Sequence, residues 1–226
     1  MSSLLKYSID ASLLIQIVTL LTNFFAFSIP LDKWDFALKQ ILGLETAVQI
    51  VELLFYGWYR GHILQKMTDV TRFRYYDWFI TTPTMLFSTA SYYGYLDSKE
   101  SEQKEPFSVW TFFQENANWV WLMFFMNALM LLFGYLQEIG MISIVASSLF
   151  GYLGLLGSFG ILYKQFVSKT PQQQGLFWFM FSVWSLYGIA AMFPSVPKNI
   201  SYNILDIFAK NFYGLFLSYL IYQRQN

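Results

Sequence analysis

Apolar residues run along this chain in seven long blocks separated by short polar links. The blocks cover about 8–29, 38–59, 73–95, 116–137, 140–163, 175–193 and 200–222. A helix of roughly 20 residues crosses a hydrocarbon core about 30 Å thick. Backbone groups in lipid must bond internally, so the pattern predicts helices and not open sheet. The links are read at 32–35, 60–72, 97–115 and 164–174, the third being the longest and most acidic through Glu100 to Glu105. Pro194 and Pro197 are expected to end the sixth block. The predicted fold is an all-α membrane protein, a seven-transmembrane-helix bundle forming one domain over residues 1–226.

Composition sharpens that picture and excludes some functions. Only 12% of the 226 residues are charged, whereas soluble domains carry about 25%. Net charge is zero, which gives no electrostatic case for nucleic acid. The chain has no cysteine, which excludes disulfides and thiolate metal sites, and no other metal site is read. The single His62 is expected to be a solvated link residue. The start of the chain shows no basic region leading into a short apolar core with a cleavage site, so the first block reads as a true span. Lysines and arginines divide almost evenly between alternate links, too evenly to set orientation by themselves.

The chemistry lies in the few charges inside apolar blocks. Lys210 falls near the middle of the last block, where an ionised side chain costs at least about 3 kcal/mol. Asp206, four residues earlier, shares its helix face and supplies a counter-charge. Two readings follow: a buried structural ion pair, or a lysine that forms a Schiff base with a carbonyl compound. The third block carries Arg74, then Asp77, Trp78, Thr81, Thr82 and Pro83, with Asp77 and Thr81 on one face. The second block holds Glu45 and Glu52, seven residues apart on one face. These are either neutral glutamic acids joining helices or the acids of a water-filled cation path.

Taken together, Arg74, Asp77-Trp78, Thr81-Thr82-Pro83, Trp184, Tyr187, Asp206 and Ala209-Lys210 resemble the microbial (type 1) rhodopsins in order, spacing and helix number. The resemblance spans all seven blocks. It implies all-trans retinal held on Lys210 as a protonated Schiff base. Asp77 and Asp206 are then the counter-ion pair, Arg74 the arginine bridging them, and Thr81 the acceptor-side threonine. Trp78, Thr82, Met85, Met130, Trp184 and Tyr187 fall on retinal-lining positions. The chain departs from the family at Gly188, where a proline is usual, and at Ala191, where a pocket tryptophan is usual. The family also implies an N-terminus outside, a cytoplasmic C-terminus and no enzymatic activity.

The same resemblance narrows the activity. Proton pumps of the family carry a carboxylate eleven residues after the third-block aspartate. Here that residue is Ser88, which cannot hold a proton to donate. Pumps of the bacteriorhodopsin type also carry acids near the turn at 194–198, and this chain has none there. Asp77 argues against a chloride pump, which has a neutral residue there, and against a sodium pump, which has asparagine. Glu45, Glu52 and the Lys210-Asn211-Phe212-Tyr213-Gly214 run resemble channelrhodopsins and compact viral rhodopsins. By that resemblance Ser12, Glu52 and Asn211 make a central gate, with Ser8 competing for the serine position, and Thr82 pairs with Asn127 between the third and fourth helices. The expected function is a light-gated channel for cations (H+, Na+ or K+) in a lipid membrane. An outward proton pump and a photosensor signalling through a partner remain alternatives, and a homo-oligomer is compatible with either.

Overall fold

The computed structural model describes residues 3–64, 70–101, 105–168 and 170–225. Lys66, Lys104 and Lys169, and the middle of the acidic stretch after Glu100, lie outside the described residues. Seven helices run through the described residues: α1 Ser3–Ser28, α2 Phe36–Leu64, α3 Thr71–Glu100, α4 Val109–Glu138, α5 Ile144–Phe166, α6 Pro171–Ala190 and α7 Ser195–Gln223. Each packs on its chain neighbours, and α7 closes the ring against α1. Five of them, α1, α2, α4, α5 and α7, are long and apolar enough to cross a membrane. The other two are diluted for identifiable reasons. Helix α3 turns a polar face inward through Thr71, Arg74, Asp77, Thr81, Ser88 and Ser91, and α6 opens with three glutamines.

The seven blocks become seven helices, with ends displaced by local chemistry. Ser108 caps α4 by accepting a bond from the Thr111 amide at 3.4 Å, so that helix begins two turns before the expected 116. Helix α6 stops at Ala190, before either proline; Pro194 is the N-cap of α7 and Pro197 sits in its first turn, where a missing N–H costs nothing. Helix α2 continues past 59, which carries His62 into its last turn; the imidazole stacks on Trp58 at 4.2 Å between ring centroids rather than standing free in a link.

Packing follows an inverted rule. On α1 the exposed face is Leu14, Ile17, Val18, Leu21, Phe24 and Phe25, while the fully buried face includes Ser12, Gln16, Thr19 and Asn23. A bundle solvated by hydrocarbon places its polar side chains inside, where partners or water can satisfy them. Between α4 and α5 a small residue permits close approach: a Cβ on Gly154 would stand 2.7 Å from the Met130 backbone nitrogen. At one end of the bundle Asp35, just before α2, accepts from Lys99 at 2.8 Å and from the Tyr95 hydroxyl. Partial burial opposes ionisation of Asp35, but those two bonds and the Lys99 charge hold its carboxyl below the usual range.

Candidate functional site

Helix α7 is regular except at 207–211, where one turn widens to π geometry around Ala209, Lys210 and Asn211. A π turn inserts an extra residue and is frequently found at functional sites. Its effect here is to turn consecutive side chains inward: Ala209, Lys210 and Asn211 are all buried. Lys210 Nζ donates to Asp77 Oδ2 at 2.9 Å and lies 3.5 Å from Asp206 Oδ1. A third carboxylate completes the ring, with Glu52 Oε1 at 3.7 Å.

On one side of the amine the polar groups are densely bonded. Asp206 accepts from Tyr56 and from Tyr187, each at 2.7 Å, and pairs with Arg74 Nη1 at 3.2 Å. Arg74 also donates from Nε to Asn199 Oδ1 at 3.1 Å, from Nη1 to the Tyr56 hydroxyl at 3.3 Å and from Nη2 to Asn203 Oδ1. Its guanidinium lies over the rings of Tyr56, Tyr59 and Tyr202 at 5.2 to 5.6 Å. The expected bridge to both aspartates is therefore not formed: Arg74 bonds Asp206 alone. The cage of tyrosines and asparagines on α2 and α7 draws the guanidinium away from Asp77, although the two share α3. Thr81 donates to the Asp77 backbone carbonyl at 3.0 Å, so its hydroxyl does not serve the carboxylate.

A largely apolar cavity, about 820 Å³ with its open mouth included, extends from Lys210 between α3, α4, α5 and α6. Trp78, Thr82, Met85, Met130, Trp184 and Tyr187 all line it. That lining fits a long apolar chain ending in an aldehyde, with one amine at the wall to receive it. Near Gly188 the room a side chain would need is taken by Tyr152, whose hydroxyl donates to the Ser185 carbonyl at 2.8 Å. Ala191 lies in the same cavity wall. Asn127 Nδ2 donates to Thr82 Oγ1 at 2.8 Å, so the structure brings the α3–α4 pair together.

The expected gate is arranged differently. Ser12 donates to the Asn203 carbonyl at 3.1 Å and Ser8 accepts from Asn203 Nδ2 at 2.8 Å, so both serines lie at the level of the Arg74 cage. The α1 residues next along that face are Gln16 and Thr19, and a Cβ on Gly214, three residues past Asn211, would stand 3.3 Å from the Thr19 methyl. Among the described residues the side chains of Gln16, Thr19, Gln49, Glu52 and Asn211 have no hydrogen-bond partner, though all are fully buried. Glu45 lies further along α2 and accepts from the Ser88 hydroxyl, so a carboxylate does reach the position where α3 lacks one.

Sequence reading named the charged members of this site and missed Gln16, Thr19, Gln49, Asn199 and Asn203. The signal was present as spacing: 12, 16, 19 and 23 on α1, 45, 49, 52 and 56 on α2, and 199, 203, 206 and 210 on α7 each trace one helix face.

The fold is shared with known light-absorbing proteins. The viral rhodopsin OLPVRII superposes with a TM-score of 0.83 and 26% identity, covering 98% of this chain and 99% of that one. A blue light-absorbing proteorhodopsin from Med12 gives 0.70 and 20%, covering 97% and 96%. Acetabularia rhodopsin I gives 0.74 and 14%, covering 99% and 95%. No curated protein sequence matches the chain. The description "Bacteriorhodopsin-like protein" matches residues 8–224, nearly the whole length. The chain therefore belongs to the bacteriorhodopsin-like family of integral membrane proteins, whose members bind retinal.

Proposed function

We propose that this protein is a retinal photoreceptor in which light opens a cation path along the seam between α1, α2 and α7. The observation that carries the reading is the run of buried polar side chains without partners, Gln16, Thr19, Gln49, Glu52 and Asn211, beside the Lys210 amine. Leaving such groups unbonded costs roughly 1–3 kcal/mol each, so a stable bundle keeps them only where water or an ion can reach them. Rows of acids and amides of this kind favour cations.

Retinal bound through Lys210 supplies a bond that light isomerises and a nitrogen whose hold on its proton then weakens. The residues do the rest. Asp77 Oδ2, at 2.9 Å, is placed to take the proton leaving Nζ. Once Nζ is neutral, Asp206 and Glu52 lose the positive charge that held them, while Arg74 stays locked to Asp206, Asn199 and Asn203. Movement is then concentrated on the unbonded side, where Glu52 and Asn211 can turn toward entering water.

A second reading has its own support. Glu45, held by Ser88, is a carboxylate from which a proton could be returned toward Lys210, which favours an outward proton pump. Whole-cell photocurrents separate the two. A cation channel gives currents that reverse at a cation's Nernst potential and shift with its gradient. Current of one sign across the accessible voltage range would overturn the channel reading.

A further inference from the structure

The side chains of α1, α2 and α7 sort into three levels, and the hydrogen bonds fix which residues share each. At one level Ser12 and Tyr56 both bond to Asn203. At another, Asn23 donates to Thr46 at 3.3 Å and accepts from Ser218 at 2.9 Å. Between these levels α1 carries Gln16 and Thr19, α2 carries Gln49 and Glu52, and α7 carries Asn211. Eleven residues of α1 separate Ser12 from Asn23, about 16 Å of helix rise, so the middle level is bounded above and below by closed hydrogen-bond layers. All five of its side chains are fully buried, and none has a hydrogen-bond partner among the described residues.

The middle level offers the amide oxygens of Gln16, Gln49 and Asn211, the hydroxyl of Thr19 and the carboxylate of Glu52. That is an oxygen-rich set carrying one formal negative charge. The charges nearby leave the same remainder. With every acid ionised, Asp77, Asp206 and Glu52 would set three negative charges against the two positive ones of Lys210 and Arg74, within one chain of contacts. An unbalanced charge in a buried site is costly, so the cluster is completed by one more positive charge, either a proton on an acid or a bound cation, and the oxygen-rich middle level beside Glu52 favours the cation.

We propose that the middle level is a binding site for one partly dehydrated monovalent cation of the sodium or potassium class, held in the dark by Glu52 with Gln16, Thr19, Gln49 and Asn211. Hard alkali ions take oxygen ligands of this type, and a single carboxylate matches a single charge. The site deepens the cation-path reading by naming where an ion waits; Gln16 and Gln49 become its selectivity residues. Because Glu52 lies 3.7 Å from Lys210 Nζ, an ion bound there changes the field at that nitrogen.

The test uses the full chain in detergent at fixed pH and ionic strength, with N-methylglucamine replaced by sodium or potassium. With retinal bound, the visible band should shift saturably with the alkali ion. Without retinal, the thermal midpoint should rise with the same ion. Glu52→Gln should abolish both responses, and Gln49→Leu should raise the half-saturating concentration about tenfold, equivalent to one lost ligand. Gln49→Asn, milder in volume, should fold and still weaken binding. If neither observable responds to sodium or potassium while both respond to pH, Glu52 balances the cluster with a proton and the site is refuted. The outcome is separable from the channel reading. A persistent titration without photocurrent leaves the site standing and removes the channel, whereas photocurrent with a flat titration removes the site alone.

Discussion

The two sides of Lys210 are built from similar residues and differ in how those residues are bonded. On the Arg74 side, Tyr56, Tyr187, Asn199, Asn203 and Asp206 spend their polar atoms on one another. On the Glu52 side, Gln16, Thr19, Gln49 and Asn211 spend theirs on nothing within the protein. Buried polarity therefore does not by itself distinguish a structural lock from a conduction path. A closed network holds its geometry when the charge on Nζ changes, whereas an open one can be hydrated and rearranged.

The largest effect should come from opening the closed side. Arg74→Gln takes from buried Asp206 one of its two cations, leaving Lys210, and also strips a donor from Asn199 and Asn203, and stability should fall by about 3–5 kcal/mol, read as a lower thermal midpoint in detergent. If the midpoint does not move, the Arg74 side is not the rigid one.

A matched pair sharpens the contrast. Asn203→Leu removes bonds to Arg74, Tyr56 and Ser8, and should cost roughly 1–3 kcal/mol. Gln16→Leu removes none, and in alkali-free medium it should leave the midpoint unchanged or slightly raised. Equal losses from both substitutions would erase the distinction between the two sides.

The smallest effect lies outside the membrane. Asp35 is held below its unfolded value by Lys99 and Tyr95, so its contribution to stability is present above the unfolded carboxylate range. It should disappear as pH falls through the lowered folded value. Asp35→Asn should cost up to about 1 kcal/mol at neutral pH, and the difference from the unsubstituted protein should vanish in acid.

How much of this was readable beforehand depended on charge. Lys210, Asp206, Asp77, Arg74, Glu45 and Glu52 stand out because an ionisable group inside an apolar block is expensive and therefore conspicuous. Gln16, Gln49 and Asn203 are uncharged, and their message lay in helical spacing across three separate blocks, which only the folded ring brings to one seam. The π turn at 207–211 left no trace in composition, yet it is what turns Lys210 and Asn211 inward together. Arg74 was placed correctly on α3, but its choice of Asp206 over Asp77 came from Asn199 and Asn203 on another helix. The α4 start was misplaced because its first two turns contain Gln114 and Glu115, which read as a link until Ser108 is seen capping the helix.

Both sides matter only because of the amine between them. Lys210→Ala, purified and incubated with all-trans retinal, should show no covalently attached visible chromophore, while the unsubstituted protein retains one through denaturation. A mutant with the same band, still covalently linked, would contradict the account at its root.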